Sequence, residues 1–277
     1  MRRIKLLIAL ALFPALLSAQ ELVTVRGRIV DEQGRSIEYV QLGVPKLQKG
    51  AISDANGRFE IEIPCDTLEF FHVSYQPASF TVTGPDNDVL IVLRDQELPP
   101  AVFMGGNTKE KYLMRPGLMV LKSIGVISTS IEGGRPSGRE LGSVAKAAKP
   151  FLVKDIQFSI RSNHIPGCVA SINIYRIEGK KETFINVLHQ PIYLEVAVSD
   201  DPQYFDIQPN ESLLLEPGRY FIAFQTVGYD RKARLTPDMT MDFNIYLKSS
   251  YLREAALSKM DPFPVNIGIA VKGLEYQ

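Results

Sequence analysis

Tryptophan is absent from the 277-residue sequence, which also has only two cysteines and three histidines. Protein zinc sites use clustered histidine, cysteine or acidic ligands. The histidines, His72, His164 and His189, are far apart, and none belongs to a His-x-x-Glu or His-Glu-x-x-His motif. A Gly-x-Ser-x-Gly nucleophile elbow is also missing. The sequence therefore indicates no catalytic residue, no metal ligand and no cofactor site, and we expect that the protein is not an enzyme.

An excess of basic residues is missing too, because 31 lysines and arginines are balanced by 31 aspartates and glutamates. Proteins that bind nucleic acid usually carry a basic excess or a basic face. The sequence shows neither feature, which argues against nucleic acid as a partner.

Long apolar segments are missing from residue 20 onward, and the one apolar run lies near the N-terminus. The basic start Arg2–Lys5 precedes the run Leu6–Leu17, and Ala19 follows it. This run is shorter than the roughly 20 residues that span a bilayer, and the arrangement is that of a secretory signal peptide. We predict that residues 1–19 are a signal peptide and that the mature chain has no transmembrane segment. The expected location is the periplasm or the outer membrane of a bacterial cell envelope.

The two cysteines, Cys65 and Cys168, lie in segments that we assign to different domains. Exported compartments are often oxidising, so a disulfide between them is one interpretation. Two free thiols, exposed or buried, are the other. The sequence leaves this choice open.

Alternation of apolar and polar residues begins at Val23 and is typical of half-buried β-strands. The dipeptide Asn56-Gly57 is a turn signal because both residues tolerate positive φ. In the strand that follows, Phe59 and Ile61 alternate with glutamates. Short strands separated by such turns indicate an antiparallel sandwich, and we predict that Phe59 lies in its core.

Three segments carry a family resemblance: Thr24–Asp31 with a Val-x-Gly-x-Ile pattern, Gly50–Phe59 with Ser-Asp-x-x-Gly-x-Phe, and Leu68–Tyr75. In this order they resemble the carboxypeptidase regulatory-like domain. The sequence departs from the family around the tyrosine, where Ser74–Gln76 replaces the usual small residue and glycine. The resemblance implies a transthyretin-like β-sandwich over residues 20–95 and a non-catalytic role in folding or docking. Such domains are also similar to N-terminal extensions of TonB-dependent transporters, so an outer-membrane transporter is one expected partner.

The rest of the chain divides into two parts. Residues 96–145 are rich in proline and glycine, which interrupt regular structure, and we predict a linker there. Residues 146–277 contain several alternating segments, which predict a jelly-roll-like β-sandwich. Within this part, we predict that Tyr220–Gln225 is a strand buried on both faces and that Ser250–Lys259 forms a short helix. The expected fold class is all-β, with an N-terminal transthyretin-like sandwich and a C-terminal jelly-roll-like sandwich.

Two acidic turns, Asp54–Gly57 and Asp200–Pro202, are candidates for cation binding. The first lacks the later acidic ligands of a calcium loop, so a hairpin turn is the simpler interpretation. An exposed turn explains the second in the same way, and we assign no ion ligand at either position.

Two functions remain after these exclusions. The first is a non-enzymatic scaffold or docking module of the cell envelope, as the regulatory-like resemblance implies. The second is a carbohydrate-binding module associated with glycan uptake, because jelly-roll modules stack sugars on exposed aromatic rings. Tyrosines would have to supply these rings, and the candidates are Tyr175, Tyr193, Tyr204, Tyr229 and Tyr246.

Overall fold

The computed structural model describes residues 21–97, 105–117, 120–121, 131–132, 135–230, 232–233, 236 and 239–277. The predicted signal peptide, residues 1–19, lies outside the described residues. Apart from one 3-10 turn at Pro45–Leu47, the regular structure of the described chain is β-strand. None of its helical structure is long and apolar enough to cross a membrane. The prediction of an all-β protein is confirmed.

The first unit is a β-sandwich of two sheets. Its strands are β1 (Leu22–Asp31), β2 (Gln41–Val44), β3 (Lys49–Ile52), β4 (Arg58–Pro64), β5 (Thr67–Phe71), β6 (Ala78–Thr81) and β7 (Asp86–Leu93). One sheet has the order β4-β1-β7 and the other the order β3-β2-β5-β6. Strand β7 runs parallel to β1, whereas the other pairs in these two sheets are antiparallel. The unit therefore differs in one pairing from the expected antiparallel sandwich.

Phe59 lies in the core between these two sheets, as its alternation predicted. It is buried together with Ile61, whereas Glu60 between them is partly exposed on the opposite face of β4. Gly27 on β1 makes room for the aromatic ring. A Cβ on Gly27 would lie 2.8 Å from two ring atoms of Phe59 and 2.1 Å from the carbonyl oxygen of Val89.

The turn before β4 is built around Asp54. The backbone N–H groups of Asn56 and Arg58 donate to Asp54 Oδ1 over 2.9 and 2.7 Å. Gly57 has a φ of +69°, a region that favours glycine. This turn joins β3 of one sheet to β4 of the other, so it is not the hairpin that the sequence predicted. The carboxylate of Asp54 holds the turn, which sets which residues of β4 face the core.

The second unit contains the remaining strands. They are β8 (Thr108–Met114), β9 (Val120–Leu121), β10 (Ile131–Glu132), β11 (Arg135–Pro136), β12 (Glu140–Ala147), β13 (Phe151–Asn163), β14 (Cys168–Glu178), β15 (Thr183–Asn186), β16 (Ile192–Val196), β17 (Gln203–Ile207), β18 (Leu214–Leu215), β19 (Gly218–Gly228), β20 (Met241–Phe243), β21 (Ile245–Tyr246), β22 (Ser250–Arg253), β23 (Met260–Phe263), β24 (Asn266–Ile267) and β25 (Ile269–Tyr276).

Two large sheets enclose the core of this second unit. The seven-stranded sheet has the order β15-β14-β19-β12-β22-β23, with β16 also paired to β14. The six-stranded sheet has the order β17-β13-β25-β8, with β18 and β20 also paired to β13. Side chains from both sheets form one buried cluster. The unit is therefore the jelly-roll-like sandwich that the alternation predicted.

Strand β19 is buried on both faces, which confirms the prediction for Tyr220–Gln225. It lies between β14 and β12 in the seven-stranded sheet. Ile222 and Phe224 face the core of the sandwich. Phe221 and Ala223 face a second buried cluster on the other side of the sheet.

The segment predicted as a linker, residues 96–145, contributes strands to the second unit. Strand β8 pairs with β25 at the edge of the six-stranded sheet. Strand β12, which begins at Glu140, pairs with β19 and β22 inside the seven-stranded sheet. The described part of this segment is therefore not an irregular linker. Proline and glycine do interrupt it, but the stretches between them are long enough to pair with distant strands.

The predicted helix at Ser250–Lys259 is wrong. Its first four residues form β22, which pairs with β12 and β23. The hydroxyl of Ser250 donates to the carbonyl oxygen of Gly142 over 2.7 Å instead of capping a helix. Pairing with neighbouring strands overrides the weak local preference for helix, as tertiary context commonly does.

The two units pack directly against each other. The outer face of the β3-β2-β5-β6 sheet lies on the seven-stranded sheet. A Cβ on Gly43 or Gly50 would lie 2.8 or 2.1 Å from the carbonyl oxygen of Ala256. Ile52, Val227 and Ala256 form a buried apolar cluster across the contact. The first unit is therefore held against the second along a packed face.

A row of polar side chains crosses the seven-stranded sheet on the face that meets the first unit. Cross-strand pairing places Arg253, Glu140, Gln225, Ser171 and Tyr193 side by side on β22, β12, β19, β14 and β16. Buried polar groups need partners to offset their lost hydration. The contacts within this polar row therefore determine how much of the free-energy cost of burying these groups is offset.

Glu140 is the most buried member of the polar row, with no exposed surface. Its Oε1 accepts hydrogen bonds of 2.7 Å from Asn173 Nδ2 and from the Tyr175 hydroxyl. Arg253 Nη1 lies 3.0 Å from Glu140 Oε2, which makes an ion pair without an aligned hydrogen bond. Burial raises the pKa of Glu140, and the positive charge of Arg253 opposes this shift.

The polar row also joins the two units. Gln41 on β2 donates from Nε2 to Gln225 Oε1 over 3.3 Å. At the far end of the row, the Tyr193 hydroxyl lies 3.2 Å from His72 Nε2 of the first unit. The Ser74 hydroxyl donates to the carbonyl oxygen of His189 over 2.9 Å. These contacts define how the first unit is oriented on the second.

His72 is neutral in this interface, and its tautomer follows from its neighbours. The backbone N–H of Ser74 points at His72 Nδ1 over 3.2 Å. This group can only donate, so Nδ1 accepts and Nε2 carries the proton toward the Tyr193 hydroxyl. Burial lowers the pKa of His72 to about 4.

We expect His72 to make folding stability depend on pH. An unfolded histidine takes up a proton near its ordinary pKa of about 6.5, whereas the folded one does so only near 4. Between these two pKa values the unfolded state therefore binds more protons than the folded state. As the pH falls through this range, the free energy of unfolding should decrease by about 3 kcal/mol because of His72.

Denaturant unfolding of wild type and His72→Gln at a series of pH values measures this contribution. Groups that titrate in both proteins cancel in the difference between their unfolding free energies. That difference should shrink as the pH falls from 7 to 4. A difference that stays constant over the whole range would show that His72 is not buried in its neutral form.

Candidate functional site

The residues that most often carry chemistry are dispersed in the structure. His164 Nε2 lies 2.8 Å from Asp200 Oδ1 at an exposed turn. His189 Nδ1 lies 3.3 Å from Glu211 Oε2 on another part of the second unit. Among the residues that the structure describes, no three histidine, cysteine, aspartate or glutamate side chains are grouped to hold a metal ion.

The two cysteines are both free thiols. Cys65 is exposed on the first unit, and Cys168 is buried in the second. Burial raises the pKa of the Cys168 thiol to about 12. A thiol that stays protonated is a poor nucleophile and metal ligand, so Cys168 behaves as a small apolar core residue.

A groove of about 740 Å³ lies on the outer face of the six-stranded sheet. This volume is within the range of about 300–1,000 Å³ that is typical of sites for small organic ligands. Two other cavities, of about 180 and 20 Å³, lie between the two units and are much smaller. The groove is therefore the candidate binding site.

The floor of the groove comes from the alternation of β13 and β25. Phe158 and Ile269 point into the core, so Gln157 and Ser159 on β13 and Ala270 on β25 point outward and line the groove. The floor thus offers an amide and a hydroxyl group on a surface that the sandwich core holds in place.

One wall of the groove, the β17 wall, consists of Tyr204 and Asp206. Pairing of β17 with β13 places Tyr204 opposite Ser159 and Asp206 opposite Gln157. Gln157 Nε2 donates to Asp206 Oδ2 over 2.9 Å. The Tyr204 side chain is 83% exposed, which is unusual for a large aromatic residue. This wall therefore presents a bare aromatic ring beside an oriented amide–carboxylate pair.

The opposite wall, the β8 wall, consists of Tyr112, Arg115 and Pro116. The guanidinium carbon of Arg115 lies 4.1 Å from the centre of the Tyr112 ring, within cation–π distance. Within the described part of the chain, Arg115 has no ion pair with a carboxylate. This wall presents a positive charge where the β17 wall presents an aromatic ring.

Tyr246 also lines the groove. Its ring fits against two glycines, because a Cβ on Gly268 would lie 2.5 Å from Tyr246 Cε2 and a Cβ on Gly117 would lie 3.2 Å from Cδ1. Tyr246 is almost fully buried. It is therefore a fixed part of the groove and not a mobile side chain.

The five tyrosines proposed from the sequence separate into two groups. Tyr204 and Tyr246 line the groove. Tyr175 and Tyr193 belong to the interface between the units, and Tyr229 lines the 180 Å³ cavity there. Sequence reasoning missed Arg115, which belongs to the predicted linker. The residues around Tyr112 show no apolar alternation, so the sequence offered no signal that this segment joins a sheet.

Comparison with known proteins gives weak similarity over the whole chain. No curated protein sequence matches it significantly. Among solved structures, a DUF3823 family protein from Bacteroides ovatus is 10% identical with a TM-score of 0.22, covering 75% of this chain and 97% of that one. A proposed carbohydrate binding protein from Bacteroides uniformis is 11% identical with a TM-score of 0.23, covering 88% and 97%. At these TM-scores the matches carry no argument about function.

The first unit is better defined by its sequence. Residues 25–99 match the family model of the CarboxypepD_reg-like domain. This match begins and ends close to the predicted limits of residues 20 and 95, and it confirms the resemblance that the three motif segments indicated.

Proposed function

We propose that the protein is a non-enzymatic, exported cell-envelope protein that binds glycans in the groove of its second unit. The observation that carries this proposal is the bare Tyr204 ring, which stands beside the Gln157–Asp206 pair in a groove of suitable size. Export rests on the predicted signal peptide, and the absence of catalysis rests on the sequence and on the family of the first unit.

The chemistry of the groove suits a sugar. One face of a pyranose ring consists of C–H groups and stacks on an aromatic ring, while its hydroxyl groups need donors and acceptors at the rim. Tyr204 offers the ring. The Asp206 carboxylate accepts from hydroxyl groups, and Gln157 and Ser159 on the floor both accept and donate.

A docking role is the second candidate, and a specific surface favours it. Leu90 and Val92 on β7 are 63% and 49% exposed on the first unit. Strand β7 is an edge strand of the β4-β1-β7 sheet, and the other sheet of this unit is covered by the second unit. An envelope protein such as an outer-membrane transporter is the proposed partner for this surface.

A glycan array tests the glycan proposal, and calorimetry then measures the affinity of the protein for each glycan that binds on the array. Tyr204→Ala should weaken binding about tenfold, equivalent to about 1.4 kcal/mol, because the stacking platform is lost. Tyr204→Phe keeps the ring and should retain most of the affinity.

Leu90→Lys is the matched control on the other unit. It should leave glycan affinity unchanged, while loss of a co-purifying envelope protein in this variant would support the docking role. Absence of any glycan binding by the wild-type protein, or equal affinity of wild type and Tyr204→Ala, would contradict the glycan proposal.

A further inference from the structure

The two walls of the groove differ in chemistry, and this difference bears on the kind of glycan that fits, given the proposed function. On the β8 wall, Arg115 covers the face of the Tyr112 ring. A sugar therefore cannot stack on that covered face as it can on Tyr204. What the β8 wall offers a ligand is the guanidinium group itself.

The guanidinium of Arg115 is available to a ligand, and the nearest acidic residue of β8, Glu110, has another partner. Lys272 on β25 forms an ion pair with Glu110 on β8. Within the described ranges, no aspartate or glutamate forms an ion pair with Arg115. A guanidinium presents five N–H donors in a planar fork that matches a carboxylate or sulfate group, and the fork of Arg115 is free to make such a contact.

The β17 wall disfavours anionic groups of a ligand. Its ionised group is the carboxylate of Asp206, which repels a second anion. Tyr204 beside it favours an apolar ring face. A ligand with one anionic group is therefore oriented by the groove, with that group toward Arg115 and away from Asp206.

The spacing of the walls indicates more than one sugar ring. Strands β17, β13, β25 and β8 are consecutive neighbours in the sheet. Adjacent strands lie about 4.8 Å apart, so the backbones of β17 and β8 are separated by about 14 Å. A ring stacked on Tyr204 and an acidic group held by Arg115 therefore belong to different sugar units of one chain.

We infer that the groove selects acidic oligosaccharides, with a neutral ring face on Tyr204 and the carboxylate or sulfate of another unit on Arg115. This inference rests on the proposed glycan function and names its ligand class. Uronic acids and sulfated sugars both carry an anionic group that can accept hydrogen bonds from Arg115. The experiment below distinguishes between these two classes of ligand.

The test compares three sets of probes with the full-length mature protein. The first set is uronic-acid polymers, namely polygalacturonate, alginate and glucuronoxylan, with oligomers prepared from each. The second set is the same oligomers after chemical reduction of their carboxylates to alcohols. The third set is sulfated polysaccharides without uronic acid, such as carrageenan. Affinities are measured by calorimetry at low and high ionic strength.

Arg115→Gln should lower affinity for the acidic oligomers about tenfold and leave affinity for their reduced forms nearly unchanged. Wild-type affinity for the acidic oligomers should fall as ionic strength rises, because salt screens the contact, and the variant should lose most of that dependence. Arg58→Gln on the first unit removes the same charge far from the groove and should change neither affinity.

The outcomes separate the inference from the proposed function. Binding to the reduced oligomers at least as tight as to the acidic ones would overturn the inference and leave the glycan function standing. An equal effect of Arg115→Gln and Arg58→Gln on the acidic oligomers would also overturn it. No binding to any probe in the three sets, together with no glycan binding on the array, would overturn both. Preference for the sulfated set over the uronic set assigns the anion as sulfate.

Discussion

Replacing Arg253 with methionine is expected to destabilise the protein by about 3–5 kcal/mol, because the substitution leaves the Glu140 carboxylate buried without its counter-charge. Glu140 has no exposed surface, and Arg253 Nη1 is 3.0 Å from its Oε2. Methionine fills much of the volume of the arginine stem, so most of the loss comes from charge. Denaturant unfolding of wild type and variant at neutral pH measures the effect.

The pH dependence of this loss identifies its cause. Arg253 opposes the raised pKa of Glu140, so its removal raises that pKa further. Protonation of Glu140 in the variant relieves the unpaired charge, and the folded state then binds more protons than the unfolded state. The destabilisation should therefore be largest at neutral pH and shrink as the pH falls toward the ordinary carboxylate pKa of about 4.3.

The double variant Glu140→Gln with Arg253→Met is the control. A glutamine oxygen can still accept from Asn173 and Tyr175, and no unpaired charge remains. We expect the double variant to recover a large part of the loss. If Arg253→Met alone costs less than about 1 kcal/mol, the value typical of an exposed ion pair, the polar row is hydrated and the interface is not closed as described.

Strand alternation predicts much of the fold because it depends only on which face of a strand is buried. Phe59 and Ile61 are inward and Glu60 outward, as a period of two requires. The continuous apolar run of β19 predicts burial on both faces, and β19 is central in its sheet. The turn at Asn56-Gly57 follows from the tolerance of glycine for the positive φ that Gly57 adopts. These are local features, and local sequence determines them.

Features that depend on pairing between distant segments are harder to predict. The groove combines Tyr112 and Arg115 with β13, β17 and β25, which are far apart in the sequence. Sequence alone does not give the order of strands in a sheet, so it could not place Tyr204 across the groove from Arg115. The polar row has the same origin, since Glu140, Gln225 and Arg253 become neighbours only through cross-strand pairing.

The segment 96–145 shows why its proline and glycine content led to the wrong prediction of a linker. Proline and glycine indicate where a strand ends, but they do not show whether the stretches between them pair. Strand β8 begins with three exposed residues, continues with three half-buried ones and, among the described strands, pairs only with β25, so its pattern is weakly apolar and resembles that of a loop. Because a strand is identified from its apolar alternation, an edge strand without that alternation is missed.

Phe59→Ala is the second substitution with a large expected effect, a loss of about 3–5 kcal/mol in unfolding free energy. The ring is 2% exposed and meets Phe70 edge to face, with ring centres 5.6 Å apart. Gly27 has no side chain that could move into the space left by the ring. The cavity should therefore persist, and the loss includes both burial and cavity terms.

Glu60→Ala is the matched control, because this residue is next to Phe59 but faces outward. Its partner is Arg26, whose Nη2 lies 2.9 Å from Glu60 Oε1 at the surface. Exposed pairs of this kind contribute about 0–1 kcal/mol, so the expected loss is below about 1 kcal/mol. Denaturant unfolding of the full-length mature chain, followed with a probe of the first unit, compares the two variants. Equal losses would mean that the register of β4 is shifted by one residue, because only such a shift would exchange the environments of Phe59 and Glu60.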